Sequence, residues 1–179
     1  LATETINGVQ YQVYTTMTDV VIQNGGAIQF NEPGNDQDPS ICLRFNGNDL
    51  IIEAGGVLDI TGGVRVSPGA LRVEMGGGNI TGEGEIRGAG CIPGSIGVFS
   101  TCELVGIGDM DLPTVYTACG DNSHPNPLTI EATGNVTIDT LNNGDDAIGG
   151  NQGFPIEVTA GSMNLADIDT HAMRGVQGG

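Results

Sequence analysis

Apolar residues in this chain fall at alternate positions, in short runs broken by glycine, and one arrangement of them recurs. It reads apolar, any, apolar, three free positions, Gly, any, apolar, any, apolar. Residues 20–30 (VVIQNGGAIQF), 50–60 (LIIEAGGVLDI), 102–112 (CELVGIGDMDL) and 128–138 (LTIEATGNVTI) fit it throughout. Residues 71–81 and 156–166 fit the first half and slip by one residue after the turn. The copies begin at 20, 50, 71, 102, 128 and 156, so their spacings are 30, 21, 31, 26 and 28. Alternation at period two predicts a pair of short strands around each glycine turn, with one side of each strand facing a core.

Recurrence at this spacing marks a solenoid or a propeller, and a propeller blade needs about 40 residues. The units here suit one coil of a parallel β-helix, with a third strand drawn from the linker. Candidate third strands are 41–45 (ICLRF), 64–67 (VRVS), 95–99 (SIGVF) and 114–118 (TVYTA). The left-handed hexapeptide form demands stricter spacing. The expected fold is therefore all-β, a right-handed parallel β-helix (β-solenoid) of about six irregular coils of 21–31 residues. Val20, Ile22, Leu50, Ile52, Leu71, Val73, Leu104, Leu128, Ile130, Ile156 and Val158 should line one interior.

The domain reading is a strand-like N-terminal segment, 1–19, followed by a solenoid domain, 20–179. No amphipathic helix precedes the first copy to act as a cap. A solenoid end is an open stack of strand edges, which pairs with another chain unless capped or charged. Val9, Tyr11 and Val13 alternate in TINGVQYQVYTT (5–16), and this segment is expected to pair with the C-terminal coil of a neighbour. Self-association follows from that expectation.

Charge removes several partner classes. The net charge is -17, with arginine only at 44, 65, 72, 87 and 174 and no lysine. Phosphate binding needs a basic surface, so nucleic acid is not an expected partner. No apolar run approaches the 18 or so residues of a membrane span, so direct membrane insertion is not expected. The sequence starts at Leu1 without a signal peptide, which suggests a processed or excised product. The acidic surplus serves solubility in its plainest reading. A second reading is a cation site: Glu53, Glu74 and Glu131 share one slot of the repeat, and Glu53 and Glu74 would stack at about 4.8 Å. Carboxylates that close repel, and Ca²⁺ would relieve them. No other cofactor is expected.

Cys42, Cys91, Cys102 and Cys119 contain no CxxC pair. An even count in a processed acidic chain suggests disulfides and an oxidising compartment, with three pairings open. The alternative is buried free thiols, and Cys102 stands in an inward slot. Asn79-Ile80-Thr81 and Asn135-Val136-Thr137 match the glycosylation acceptor pattern.

The coil pattern, and above all NITGEGEIRGAG (79–90), resembles the rungs of right-handed parallel β-helix proteins of the pectin-lyase-like type. It is similar both to bacterial surface and adhesin repeats and to polygalacturonase-type glycoside hydrolases. The resemblance covers about 20–166 and implies the fold; that fold hosts lyases, hydrolases, tailspikes, adhesins and passive stalks. NVTIDTLNNGDDAIGG (135–150) is similar to the polygalacturonase coil that ends in Gly-Asp-Asp. The resemblance implies Asp145 and Asp146 as the acid and base carboxyls, Asp121 as partner, His171 tuning them and Arg174 holding an acidic sugar. The chain departs from that family in three places. The family's Asn-Thr-Asp is Gly120-Asp121-Asn122, its Gly-His-Gly is Thr170-His171-Ala172, and no lysine is present for its Arg-x-Lys. An Asx turn also suits Asn-Asn-Gly-Asp-Asp. The expected function is an extracellular or cell-surface structural or adhesive element rather than an enzyme, joined head to tail or part of a longer fibrous protein. The alternative is a carbohydrate-active β-helix enzyme. Ice or mineral binding would need a regular threonine ladder, which the chain lacks.

Overall fold

Strands of three to eight residues cannot stand alone, because each leaves a row of backbone N–H and C=O groups to be paired on both edges. Here they are paired by stacking. The computed structural model describes residues 2–29, 40–59, 70–87, 101–116, 128–142 and 156–169, and all regular structure among them is strand. The chain opens with a hairpin, β1 (Ala2–Ile6) and β2 (Val9–Thr15), turned by Asn7 and Gly8, both at positive φ. Asn-Gly supplies the two left-handed residues that a tight hairpin turn needs. The first layer is completed by β3 (Val20–Ile22) and β4 (Ala27–Gln29). The second layer is β5 (Ser40–Arg44), β6 (Leu50–Ile52) and β7 (Val57–Asp59). The third is β8 (Ala70–Glu74), β9 (Ile80–Gly82) and β10 (Glu85–Arg87). Each later layer has one strand for the first face and one long strand for the rest: β11 (Thr101–Ile107) with β12 (Met110–Tyr116), β13 (Leu128–Ala132) with β14 (Asn135–Asn142), and β15 (Ile156–Thr159) with β16 (Ser162–Asp169).

The strands form two sheets. Sheet A runs β1-β2-β5-β8-β11-β13-β15; every pair is parallel except β1 with β2. In sheet B, the files β3-β6-β9 and β4-β7-β10 converge on β12, which pairs on its other side with β14, and β14 with β16. This is a parallel β-solenoid. Stacked partners lie 25 to 31 residues apart: Ile107 stands opposite Ala132 and Leu71 opposite Cys102. The spacing of 21 between the copies at 50 and 71 has a geometric meaning. Leu50 stacks on Ile80, whereas Leu71 stacks on Ile41. The copies at 20 and 50 wrap the corner inside sheet B, and those from 71 onward wrap the corner between the sheets.

All eleven residues expected inside belong to one apolar cluster or pack against it. Leu50, Ile52, Val73, Leu104, Leu128 and Ile130 are fully excluded from solvent. Ile156 and Val158, in the last layer, are half-buried, as is Val20 in the first. Ile80, Ile86, Met110, Val115, Val136 and Leu141 complete the interior from sheet B.

A polar ladder holds the corner between the sheets. Asp19 Oδ1 accepts the Asp49 N–H at 3.0 Å, and Asp49 Oδ1 accepts that of Asn79 at 2.8 Å. Asn79 Oδ1 accepts from Asp109 at 2.8 Å, and Asp109 Oδ1 from Asn135 at 2.7 Å; Ser162 donates its hydroxyl to Asn135 Oδ1. The same rungs are clamped through the main chain, since Val20, Leu50 and Ile80 donate to the carbonyls of Asp49, Asn79 and Asp109. Two further residue choices follow. A Cβ on Gly134 would fall on Asp109 Oδ1, so the rung side chain needs a glycine beside its acceptor position in the next layer. Asp and Asn alternate from Asp49 to Asn135, which keeps stacked carboxylates apart.

Asp109→Ala should therefore destabilise the fold by about 0.5–1 kcal/mol, the net worth of one hydrogen bond at a solvent-exposed corner. Asp109→Asn should be close to neutral, because it keeps the acceptor. Urea unfolding of the three proteins checks this; equal losses for Ala and Asn would remove the ladder's role.

Candidate functional site

The residues implied by the polygalacturonase resemblance, Asp121, Asp145, Asp146, His171 and Arg174, lie outside the described residues, as do Cys91 and Cys119. The calcium candidates are described, and the structure does not bring them together. Glu53 sits in the exposed corner between β6 and β7, where its carboxylate accepts the Asn24 N–H at 3.2 Å. Glu74 ends β8 in sheet A, with Arg44 opposite it on one side and Val105 on the other. The slot they share in sequence belongs to two different corners. Glu131 is exposed on β13 opposite Thr159. Among the described residues no group of three or more His, Cys, Asp and Glu is placed to hold a metal ion.

Glu74 instead belongs to a chain of ion pairs across the outer face of sheet A. Glu4 on β1 takes both terminal nitrogens of Arg44 at 2.9 Å. Arg44 Nε donates to Glu74 at 2.7 Å, and Arg72 Nε donates to the other oxygen of Glu74 at 2.8 Å. Arg72 also reaches Glu103 on β11. The chain Glu4–Arg44–Glu74–Arg72–Glu103 thus ties four strands together. Burial raises the cost of charge on Glu74, but the hydrogen bonds from Arg72 and Arg44 outweigh it and hold its carboxyl below the usual value. Glu4 is lowered by its hydrogen bonds from Arg44. Arg44 is raised in turn by the hydrogen bonds to Glu4 and Glu74.

Beneath that chain lies a second apolar cluster of Tyr11, Val13 and Cys42, with Ile6 packed on it. It changes the picture of the N-terminal segment. Tyr11 and Val13 are each 3% exposed, and β2 is hydrogen-bonded along both edges, to β1 and to β5. Of the three residues expected to pair with a neighbour only Val9 is exposed. Burial pushes the Tyr11 phenol up to about 12, the Cys42 thiol to about 11 and the Cys102 thiol to about 12, the charges of Glu103 and Glu74 adding to it. Cys42 and Cys102 carry free, buried thiols, so the disulfide expectation is corrected for these two. Cys102 points into the core and Cys42 into the outer cluster, on opposite faces of sheet A.

The ends of the stack differ from its middle. Met163 and Ile168 stand opposite Val136 and Leu141, which are fully buried, yet they are 55% and 49% exposed. At the other end a mostly apolar cleft of about 300 Å³ opens between Tyr14, Val20, Ile28, Leu43 and Phe45. The remaining exposed large apolar side chains among the described residues, Val9, Tyr14, Met17 and Val21, all belong to the first layer. Sequence reasoning missed the ion-pair chain and the ladder. The signals were present as Arg72-Val73-Glu74 and as Asp or Asn recurring at 19, 49, 79, 109 and 135. Both become readable only once the layer register is known.

Comparison with protein-family models finds no match, and comparisons with curated proteins and with solved structures find none either. The resemblance to pectin-lyase-like proteins therefore stands on the residues quoted for it.

The lowered carboxyls fix a pH dependence. Glu4 and Glu74 sit below their ordinary 4.5 when folded, so their stabilisation is complete above that value and is lost as pH falls beneath it. Glu74→Gln should cost about 1–2 kcal/mol at neutral pH, modest because the group is partly exposed. The gap between the two proteins should close as pH falls below 4.5. Thermal melts of both across this range give the answer, and a gap that stays constant with pH would show that Glu74 acts by packing alone.

Proposed function

We propose that this chain is a structural or adhesive solenoid element of the cell surface or extracellular space, whose two ends stack on further layers of the same kind. The carrying observation is where the exposed apolar side chains fall. All six large ones among the described residues lie in the first or the last layer. Met163 and Ile168 occupy slots that are buried in the layer before them, and among the described residues β16 pairs only with β14. A bare inner layer above a row of unpaired backbone groups invites a matching edge. The layer that fits best is one with the same spacing and register, which is another layer of this solenoid. The resemblance to surface and adhesin repeats supports the same reading. The extracellular setting rests on the acidic composition and on that resemblance, and the free thiols Cys42 and Cys102 add nothing to it. The carbohydrate-active alternative depends on residues outside the described set and gains no observation from the others.

Sedimentation over a hundredfold range of concentration tests the proposal. The native chain should self-associate as concentration rises. Met163→Glu with Ile168→Glu should hold it monomeric while leaving the strand circular dichroism unchanged. A native chain that stays monomeric throughout would overturn the reading.

A further inference from the structure

The two sheets do not end level on the N-terminal side. Among the described residues, the outermost strands of sheet B, β3 and β4, pair on one side only, with β6 and β7. In sheet A, β2 is already paired on both sides: parallel to β5, and antiparallel to β1 from Ala2 opposite Val13 to Ile6 opposite Val9. On the C-terminal side β15 and β16 belong to one layer, and among the described residues each is paired on one side only.

A second copy stacked in the same register defines its own contacts. Positions 19, 20 and 28 are succeeded through the layers by 162, 163 and 168. One copy's Met163 would therefore cover its neighbour's Val20, and its Ile168 would cover Ile28 and close the apolar cleft. Its Ser162 oxygen would stand where the rungs at 19, 49, 79 and 109 each accept an N–H, facing that of its neighbour's Asp19. The same placement brings β15 to the edge of β2 that β1 occupies. Sheet B is open to the neighbour and sheet A is not.

Resting on the stacking reading above, we infer that β1 is a detachable end strand. Paired to β2 it closes sheet A against a second copy; released, it yields its place to that copy's β15. Its attachment is slight. Four of its five residues are exposed, and its side-chain anchors are the Glu4–Arg44 pair and Ile6 on the outer cluster. The Glu4–Arg44 pair is partly exposed and screened by solvent, and among the described residues β1 is hydrogen-bonded along one edge only. The strand that would replace it is better suited to the place. Thr3 and Thr5 lie opposite Gln12 and Gln10, on the face of β2 that borders the cleft. The layer rule puts Ile156 and Val158 there instead, and these already pack against the core on their own side. A junction of this kind is heterologous and grows as a filament unless rotation closes it.

The test compares three proteins by sedimentation and negative-stain microscopy: the native chain, a chain lacking residues 1–7, and Thr5→Cys with Gln10→Cys. Thr5 and Gln10 stand opposite each other and are both exposed, so oxidation ties β1 to β2 and a reductant frees it. The truncated chain should form longer particles at a concentration at least severalfold lower than the native one. The oxidised lock should stay short and recover native behaviour on reduction, a comparison that does not depend on the truncated chain folding. If native particles form through Met163 and Ile168 but the lock does not alter them, β1 is not the cap. If truncation shortens the particles, β1 is part of the junction and the inference is likewise overturned. If the native protein does not assemble, the stacking reading falls and the cap falls with it.

Discussion

Hydrogen bonding from layer to layer is the constraint on which the rest of this molecule depends. Successive strands of a sheet sit about 4.8 Å apart, so each residue is answerable to the residues above and below it. At the corner between the sheets the backbone turns, and the Asp and Asn ladder supplies acceptors there. That requirement spreads. It asks for glycine where a Cβ would strike the rung below, as at Gly134. It asks for an uncharged rung between charged ones, as at Asn79 between Asp49 and Asp109. Sequence features that look independent, a glycine excess and scattered Asx residues, are one device.

The interior was legible from the sequence because burial imposes a strict period. Every inward residue named from alternation, from Val20 to Val158, reached the core or its margin. The coil boundaries were less legible, because two corners of one solenoid are written in similar words. LIIEAGG and LRVEMGG read alike, yet one wraps from β6 to β7 and the other from β8 to β9. Phase relative to the axis is a property of the stack, and no local window contains it. The same loss of phase set Glu53 beside Glu74 on paper, whereas the fold gives Glu74 two arginines.

Arginine placement shows the same limit. Against a net charge of -17, the chain holds five arginines. Arg44, Arg72 and Arg87 are paired with glutamates on or beside their own strands. Their partners are two, thirty, thirty-one or forty residues away, a scatter that looks random until the layers are stacked. Among the described residues the cations stand where adjacent strands and the hairpin are crosslinked.

The corner inside sheet B narrows along the axis, from four residues between β3 and β4, and between β6 and β7, to two between β9 and β10. In β12, β14 and β16 a single residue steps out of register, Pro113, Asp139 and Ala166. This taper bears on folding fidelity. A stack of near-identical layers is prone to slip during assembly, with one layer settling on a wrong neighbour and a misfolded state that is slow to leave. Here the corner width marks where along the stack a layer belongs: four residues in the first two layers, two in the third and one in the last three. The taper therefore gives a repeating sequence a direction: the wide corner belongs to the N-terminal layers and the narrow one to the C-terminal layers.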